Sequence, residues 1–428
     1  MIRDERRETR RTESIKKADN MNKMKVFILL STVWVPGCGS GLIPLGSNDG
    51  NITPSPSVSP FCSGDPEFET YQDAAFVIGQ TDFESNAEHS GEAQPVAQGL
   101  RDPYGVAAFS PDMLWIPDFG NHRVLGFSPF PDASGAVAQR VIGQSDFSTG
   151  LSGTSSVALD SPIGVGVSGS SLYILDNDNH RVLLYPTIPT IDGAAAGTVI
   201  VGHPDTNSTR SGCDASSITY TEGFRVTENR LIVADTYHDR VLIWNSIPTT
   251  SDVPADLVLG QPNFTTCTAT GASTASSTVL DRPSDAATDG IRLVVSDMEH
   301  NRVLIWNTFP TSNQQPADVV LGQETMAQSN EDHGGLSARS LDNPLSVELH
   351  GSKLIVSDAG NSRVLIWNSI PTVNFAPADV VLGQPNFTTA DRTTSRKGLN
   401  GAASVRACGN RLYVGQDGAH RYSVFEGI

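Results

Sequence analysis

The chain has 428 residues, and its 29 Lys and Arg against 47 Asp and Glu give a net charge of −18 at neutral pH. Such an acidic surface repels phosphate backbones, so nucleic acid is not an expected partner. Apolar residues form 38% of the sequence, which also contains 39 Gly and 26 Pro. This composition is typical of a turn-rich β protein, and no uninterrupted apolar segment of about 18 residues predicts a membrane-spanning helix.

Residues 1–37 are predicted to be a secretory signal region. Lys23 and Lys25 precede an apolar stretch at residues 26–35, and the sequence P-G-C then ends at Cys38. A basic segment, a short apolar core and a small residue before the cut are typical of an export signal. Because a cysteine follows the cut, the segment resembles a bacterial lipoprotein signal, which implies that Cys38 is lipidated. An ordinary signal with Cys38 unmodified is the alternative.

The rest of the chain divides into a linker and a repeat domain. Residues 1–20 are too charged for a signal, so Met21 or Met24 is a candidate for the true start. Residues 38–69 are rich in Gly, Ser, Pro and Asn, which predicts a flexible tether. Residues 70–428 form the predicted repeat domain.

One sequence motif recurs through this domain, in forms such as D-A-G-N-S-R-V-L-I-W-N and D-M-E-H-N-R-V-L-I-W-N. The copies start at Asp118, Asp176, Asp235, Asp297, Asp358 and, in degraded form, Gln416. Their arginines, 58–62 residues apart, are Arg123, Arg181, Arg240, Arg302, Arg363 and Arg421. Self-similarity at such a period indicates a repeat architecture.

Each repeat contains four short strand signals. The first is a segment of small residues after L-x-x-P. The second is a β-branched run that ends at the first Asp of the recurring motif, which we call the repeat Asp. The third is R-V-L-I-W, and the fourth is V-L-G-Q or a variant of it. Short strands separated by Gly, Pro and Asn predict antiparallel meanders, and four such strands repeated around an axis predict propeller blades. Gly, Ala and Ser in the first segment predict that this strand is innermost.

The count of strand signals predicts a closed ring. V-I-G-Q at residues 77–80 precedes the first complete blade, whereas the chain ends after the third strand of the last blade, around residues 422–425. We expect residues 77–80 to supply the missing outer strand, because closure removes the free edges of an open array. The predicted fold class is all-β, a six-bladed β-propeller with four antiparallel strands per blade.

The sequence L-x-x-P-x-G-V, followed by L-Y-I-L-D-N-D-N-H-R-V in the second copy, resembles the NHL repeat. The resemblance extends from about residue 73 to the end and recurs six times in register. It implies a propeller fold, although these blades are longer than is typical of the family. The additional residues fall in loops around the outer strand, such as residues 264–278 and 326–340.

The spacing D-x-x-x-x-R puts a carboxylate at the end of the second strand and a guanidinium at the start of the third. A hydrogen-bonded pair there would fix the intervening turn. Because five copies share both residues, we interpret the pairs as structural rather than catalytic. The predicted pairs are Asp118 with Arg123, Asp176 with Arg181, Asp235 with Arg240, Asp297 with Arg302, and Asp358 with Arg363.

Histidines precede most repeat arginines, at His122, His180, His238, His300 and His420. Imidazoles that faced one another on one side of the ring could hold a divalent cation, and six-bladed relatives include a metal-dependent lyase that this arrangement resembles loosely. The five positions are not equivalent, however, and the fifth copy has Asn361 and Ser362 instead. We therefore interpret them as turn residues and predict no metal and no cofactor.

Charged residues interrupt the small-residue pattern of the first strand in the second half of the ring, at Arg225, Asp285, Glu348 and Arg406. Charges on an innermost strand must pair or face water, because an unpaired buried charge is costly. One interpretation is two ion pairs inside the ring. The other is a polar channel mouth that binds a small ligand.

Four cysteines follow Cys38, and none forms a C-x-x-C pair, so a zinc or thioredoxin-type site is not expected. An even number in an exported protein favours disulfides. Cys213 and Cys267 lie in equivalent loops of neighbouring blades. Cys62 precedes the closing strand, and Cys408 lies in the last blade. We therefore predict bonds from Cys213 to Cys267 and from Cys62 to Cys408.

No catalytic motif of the common hydrolases, metalloproteases, or nucleotide- and dinucleotide-binding enzymes occurs in the sequence. We expect an exported, lipid-anchored, monomeric propeller at the cell envelope that binds protein or glycan partners and has no catalytic residues. The alternative is a propeller enzyme, a lyase or hydrolase with its site at the central channel, with or without a divalent cation. Fold alone does not decide between them.

Overall fold

The computed structural model describes residues 62–202, 212–227, 229–268 and 275–428. The predicted signal region, Cys38 and most of the predicted tether lie outside the described residues. Within those ranges the chain consists of short strands, turns, loops and short 3-10 helices, which are Glu88–Gly91, Phe119–Asn121, Asn177–Asn179, Thr236–His238 and Asp417–Ala419. In the same ranges it contains no helix whose length and apolar character would let it cross a membrane.

Twenty-four strands in the described residues form six four-stranded antiparallel sheets. In chain order they are Phe76–Ile78 (β1), Ala108–Ser110 (β2), Met113–Asp118 (β3), Arg123–Phe127 (β4), Arg140–Ile142 (β5), Pro162–Ser168 (β6), Ser171–Asp176 (β7), Arg181–Tyr185 (β8), Thr198–Val201 (β9), Gly223–Val226 (β10), Leu231–Asp235 (β11), Arg240–Trp244 (β12), Leu257–Leu259 (β13), Pro283–Thr288 (β14), Leu293–Asp297 (β15), Arg302–Trp306 (β16), Val319–Leu321 (β17), Pro344–His350 (β18), Lys353–Asp358 (β19), Arg363–Trp367 (β20), Val380–Leu382 (β21), Ala402–Cys408 (β22), Arg411–Gln416 (β23) and Arg421–Glu426 (β24).

The sheets are arranged as blades around a central axis. Blades one to five contain β2–β5, β6–β9, β10–β13, β14–β17 and β18–β21, and blade six contains β22–β24 with β1. The first strands of successive blades contact one another from β2 to β22. Tyr422 of blade six closes the circle with a 2.5 Å hydrogen bond to the carbonyl oxygen of Gly105, next to blade one. The predicted six-bladed β-propeller is confirmed.

The first strand of each blade is innermost, as predicted. A Cβ atom at Gly105 would lie 2.0 Å from the carbonyl oxygen of Ile163, and one at Gly223 would lie 2.4 Å from that of Ser284. Neighbouring first strands thus approach too closely for a side chain at these positions, and glycine is required for steric reasons.

The apolar core lies between successive sheets. Between blades two and three, Leu175 packs with Phe224 and Trp244, all essentially inaccessible to water. The indole N–H of Trp244 donates to the carbonyl oxygen of Val253 at 2.9 Å, which satisfies the one polar group that this large side chain buries.

The N-terminal strand β1 completes blade six. It pairs antiparallel with β24, with Phe76 opposite Val424 and Ile78 opposite Tyr422. The predicted closure is confirmed, although the strand ends at Ile78 rather than at residue 80. It ends there because Gly79 has a φ of +99°, which lies outside the β region.

The V-x-G-Q sequence therefore marks the end of each outer strand. Its glycine has a φ between +86° and +99° in all six copies. Side-chain amides of the following glutamines donate to main-chain carbonyls of the turn between the second and third strands. These glutamines are Gln80, Gln144, Gln261, Gln323 and Gln384.

The edge of each outer strand that has no partner within its own sheet is covered by a segment of a neighbouring blade. In blade one, the Val141 amide donates to the Asp192 carboxylate at 3.1 Å, and its carbonyl accepts from the Gly193 amide at 3.0 Å. The covering segment is the connection between the third and fourth strands of blade two. Equivalent positions around the ring all have a φ between 53° and 77°: Tyr71, Gly135, Gly193, Asp252, Gln314 and Phe375.

For blade five, the covering segment comes from the other end of the chain. The Tyr71 amide donates to the carbonyl oxygen of Val381 at 2.9 Å, and the Val381 amide donates to Oγ1 of Thr70 at 3.3 Å. The N-terminal segment therefore replaces both the outer strand of blade six and the connection that would precede it. Sequence reasoning predicted only the strand.

Both predicted disulfides are confirmed. Cys62 is bonded to Cys408, 346 residues away, and Cys213 is bonded to Cys267. The first bond fastens the N-terminal segment to the last blade. Residues 62–69, which the sequence assigned to the tether, instead lie against the ring, where Nζ of Lys353 is within 3.2 Å of carboxylates in that segment.

The five predicted Asp–Arg pairs are present and buried, with Nε to Oδ2 distances of 2.7–2.8 Å. In blade five, Oδ1 of Asp358 also accepts the Asp342 amide at 2.7 Å, and Arg363 donates to the carbonyls of Phe387 and Ser340. One guanidinium thus joins two strands and two loops. Charge-assisted bonds of this kind are the strong ones in a dry interior.

Blade six departs from this arrangement because Gln416 stands where the others have Asp. Its Oε1 accepts the Asn400 amide at 2.8 Å, but its Nε2 donates to Ser423. Nε of Arg421 is buried and has no hydrogen-bond partner among the described residues. Burial lowers the pKa of Arg421 to about 10, against the attraction of two nearby carboxylates.

Replacing Gln416 with Asp is expected to raise the free energy of unfolding by about 1 kcal/mol, because the carboxylate would accept from both Asn400 and Arg421. The matched change Asp358→Gln is expected to lower it by about 3 kcal/mol, because Arg363 would lose its carboxylate. Urea denaturation at pH 7 measures both. A Gln416→Asp variant less stable than the wild type would contradict this role of the carboxylate.

Candidate ligand site in the central channel

The four charged residues singled out in the sequence lie on neighbouring innermost strands. Arg225 is on β10, Asp285 on β14, Glu348 on β18 and Arg406 on β22. Their side chains are 13%, 1%, 8% and 8% exposed, respectively. The fold thus brings all four together inside the ring, shielded from bulk water.

Glu348 lies at the centre of this group. Its Oε2 accepts from Nη1 of Arg225 at 2.7 Å and from Nη1 of Arg406 at 2.8 Å. Arg225 also donates to the main-chain carbonyls of Ala286 and Val347, at 3.1 and 2.9 Å. One carboxylate is therefore shared by two guanidiniums, and we call Arg225, Glu348 and Arg406 the channel cluster.

Asp285 lies deeper and makes a longer contact, 3.9 Å from Nη2 of Arg225. Its Oδ2 accepts from the Ser346 hydroxyl at 2.8 Å and the Val347 amide at 3.2 Å, and its Oδ1 accepts from the Ala286 amide at 2.8 Å. The arrangement thus differs from two separate ion pairs. The carboxylate of Asp285 is satisfied chiefly by groups of its own and the next strand.

The charged groups of the channel cluster shift one another's pKa values. Burial alone would raise the pKa of Glu348, but Arg225 and Arg406 outweigh it and lower that pKa, so the group is ionised at neutral pH. Burial, followed by the repulsion of Arg225, lowers the pKa of Arg406. The two guanidiniums thus lie among two carboxylates, since Asp285 as well as Glu348 favours the charged form of Arg406.

A pocket of about 130 Å³ opens beside the channel cluster. It lies at the end of the channel where the first strands turn into their hairpins, and Cys62 reaches its edge. The cluster forms its polar wall, whereas Phe109, Val226 and Leu349 contribute apolar surface. Apolar walls with a few convergent polar groups are typical of small-molecule sites.

A small group of apolar side chains lies towards the opposite end of the channel. Met298, Leu345 and Ala403 are buried together, and Tyr104 and Ala359 pack against them. Met298 follows β15, in the turn that carries the repeat Asp, so this cluster lies on the other face from the pocket.

The repeat histidines occupy two kinds of turn position, one before the arginine (His122, His180 and His420) and two before it (His238 and His300). In the first kind, Nδ1 accepts a backbone amide from the loop that enters another blade, at 3.0–3.2 Å. In the second, Nδ1 bonds the repeat Asp of the same turn at 2.9 Å. These contacts give each histidine a role in its turn.

Glu331, Asp332 and Asp342 form the one group of three potential metal ligands within the described ranges, and sequence reasoning did not single them out. Their carboxylate oxygens lie within 4.8 Å of one another. Burial raises the pKa of Asp342, and the other two carboxylates add to this effect. Amides of Asn361 and Asn343 already donate to this group. Oxygen ligands suit Ca²⁺ or Mg²⁺, but no second feature here indicates an ion.

No family model matches the chain, and no curated protein matches it. Solved structures with similar folds include a nidogen–laminin complex, with 14% identity and a TM-score of 0.38 over 64% of this chain and 82% of the other. Another is the hydrazine synthase of Kuenenia stuttgartiensis, with 12% identity and a TM-score of 0.44 over 78% and 98%. A third is a computationally designed protein, with 9% identity and a TM-score of 0.38 over 84% and 99%. Similarity at this level indicates nothing about function.

Acid is expected to destabilise the ring through His180, because burial lowers its pKa to about 4. The unfolded side chain binds a proton near pH 6.5, so the contribution of His180 to stability is full above that value and falls as the pH drops towards 4. By pH 5 this one group lowers the free energy of unfolding by about 2 kcal/mol, while the raised pKa values of the buried Asp176 and Asp358 act in the opposite direction. Asn301 occupies the matching position of blade four and accepts the Asn343 amide, so His180→Asn should keep the bond and remove this loss.

Urea denaturation at pH 7 and pH 5 checks this expectation. Ser362→Asn changes the same turn position in blade five without removing a titratable group, and it should keep the wild-type pH dependence. An unchanged pH dependence in His180→Asn would show that another group causes the acid sensitivity.

Proposed function

We propose that the protein is an exported binding or scaffold module of the NHL-repeat type, held at the cell envelope by a lipid on Cys38. The basic and apolar N-terminal segment supports export. The disulfides Cys62–Cys408 and Cys213–Cys267 support it as well, because such bonds persist in oxidising compartments. The closed ring would serve as a rigid platform for partner contacts.

An exposed apolar rim on blades one and two is the observation that carries the binding role. Leu151, Val157 and Ile191 are 75%, 46% and 68% exposed. Gln144 exchanges two hydrogen bonds with the backbone of Leu151, at 2.8 and 3.2 Å, and Gly193 lies against the backbone of Gln144. The loops that carry Leu151 and Ile191 thus lie side by side.

Val157 belongs to the same surface. It follows Ser156, whose carbonyl accepts the Ala196 amide from the loop of Ile191 at 2.8 Å. Exposed apolar side chains grouped in this way are typical of protein contacts. The proposal therefore favours a protein over a glycan as the partner of this rim.

Replacing Leu151 and Ile191 with Asp is expected to reduce capture of an envelope protein at least tenfold, because charge opposes burial of the rim in an interface. Val373→Asp is the matched control, since Val373 occupies the position of Ile191 in blade five and is 63% exposed. Quantitative mass spectrometry of proteins captured from envelope extract measures the difference. Equal capture of envelope proteins by the rim variant and the control would show that the rim does not bind the partner.

The lipid anchor has a separate test. In a bacterial host that processes lipoproteins, the wild type is expected in the membrane fraction, with a mature chain that begins at Cys38 and carries the added lipid mass. Cys38→Ser is expected in the soluble envelope fraction, because the thiol that accepts the lipid is gone. Intact mass and fractionation distinguish these outcomes, and an unmodified wild-type Cys38 would contradict the anchor.

A further inference from the structure

One donor of the channel cluster is unused. Arg406 donates from Nη1 to Glu348 at 2.8 Å and from Nε to the carbonyl of Ala107 at 3.3 Å. Its Nη2 makes no hydrogen bond with any residue in the described ranges, although only 7% of Arg406 is exposed. By contrast, all three nitrogens of the Arg225 guanidinium are hydrogen-bonded. Nη2 of Arg406 is not among the polar atoms that are both fully buried and unpaired, so this donor remains in contact with solvent.

The unused donor faces the pocket. Arg406 is part of the pocket wall, and its other two nitrogens point to Glu348 and to the backbone of blade one. Nη2 is therefore available to whatever enters the pocket. A guanidinium in a partly dry site binds carboxylate and phosphate oxygens strongly.

Cationic groups line the pocket although the chain as a whole carries −18. The pocket wall contains the guanidiniums of Arg225 and Arg406 and the Glu348 carboxylate, and the Asp285 carboxylate lies behind them, 3.9 Å from Arg225. Walls of low dielectric strengthen the attraction between a guanidinium and an entering anion. The apolar surface of Phe109, Val226 and Leu349 adds room for a short hydrocarbon chain next to the charged wall.

We propose that this pocket binds a small organic anion, a carboxylate or phosphate monoester with a short apolar chain, through Nη2 of Arg406. The apolar chain lies against Phe109 and Leu349, and the anionic group replaces water at the guanidinium. This site is separate from the apolar rim, so its test stands whether or not the rim binds a protein.

Isothermal titration of the purified protein with three six-carbon probes tests the chemistry. Hexanoate or hexyl phosphate is expected to bind, and the stronger of the two identifies the preferred anion. Hexanol has the same chain without the charge and is expected to bind at least tenfold more weakly. Binding of hexanol as tight as that of both anions would overturn the proposal, and so would the absence of binding by all three probes.

Two variants test the residues. Arg406→Gln is expected to weaken binding of the preferred anion about tenfold, the effect of one charge-assisted hydrogen bond. Glu348→Gln is expected to strengthen it about tenfold, because the ligand no longer competes with a carboxylate for the guanidiniums. Damage to the fold would not produce this gain. Arg140→Gln, on the outer strand of blade one, is the control and should bind as the wild type does.

Unchanged affinity in Arg406→Gln, or weaker binding in a folded Glu348→Gln protein, would overturn the assignment of the anion to this cluster. Circular dichroism and denaturation curves of each variant establish that it is folded.

Discussion

A β-propeller must cover the edge of every outer strand, and this constraint organises the whole chain. Each outer edge is covered by the connection from a neighbouring blade, so one blade protects another. Where the ring closes, the N-terminal segment supplies both an outer strand and an edge cover. Its strand β1 completes blade six, and Tyr71 covers the outer strand of blade five at Val381. The disulfide from Cys62 to Cys408 fastens the same segment. The shape of the pocket depends on this closure, because Cys62 lies at its edge.

Within a blade, the buried guanidinium of the repeat arginine holds strands and loops together. Arg363 joins β19 and β20 to two loops through a single planar group, which a lysine ammonium could not do with the same geometry. Such a pair is costly to desolvate and costly to break. The same residue type has a different use in the channel, where Glu348 is shared by two arginines and one donor of Arg406 faces the pocket.

The architecture was predictable from the sequence because it rests on repetition. The period of the arginines gave the blade number, and the unmatched V-I-G-Q at residues 77–80 indicated how the ring closes. The edge-covering residues were not predictable, since Tyr71, Gly193 and Phe375 share a left-handed backbone rather than a side chain. The contact of Arg225 with Glu348 spans 123 residues and depends on side-chain direction across the channel. The period places both residues on inner strands but does not define that direction.

The dual role of the N-terminal segment can be measured directly by amide hydrogen exchange, followed by mass spectrometry, on peptides covering residues 70–78 and β21. If this segment closes the ring, both peptides will be protected to the same degree as the outer strands of the other blades, because their amides open only when blades five and six separate. Exchange of residues 70–78 at the rate of an unfolded chain, in an otherwise protected ring, would contradict the account.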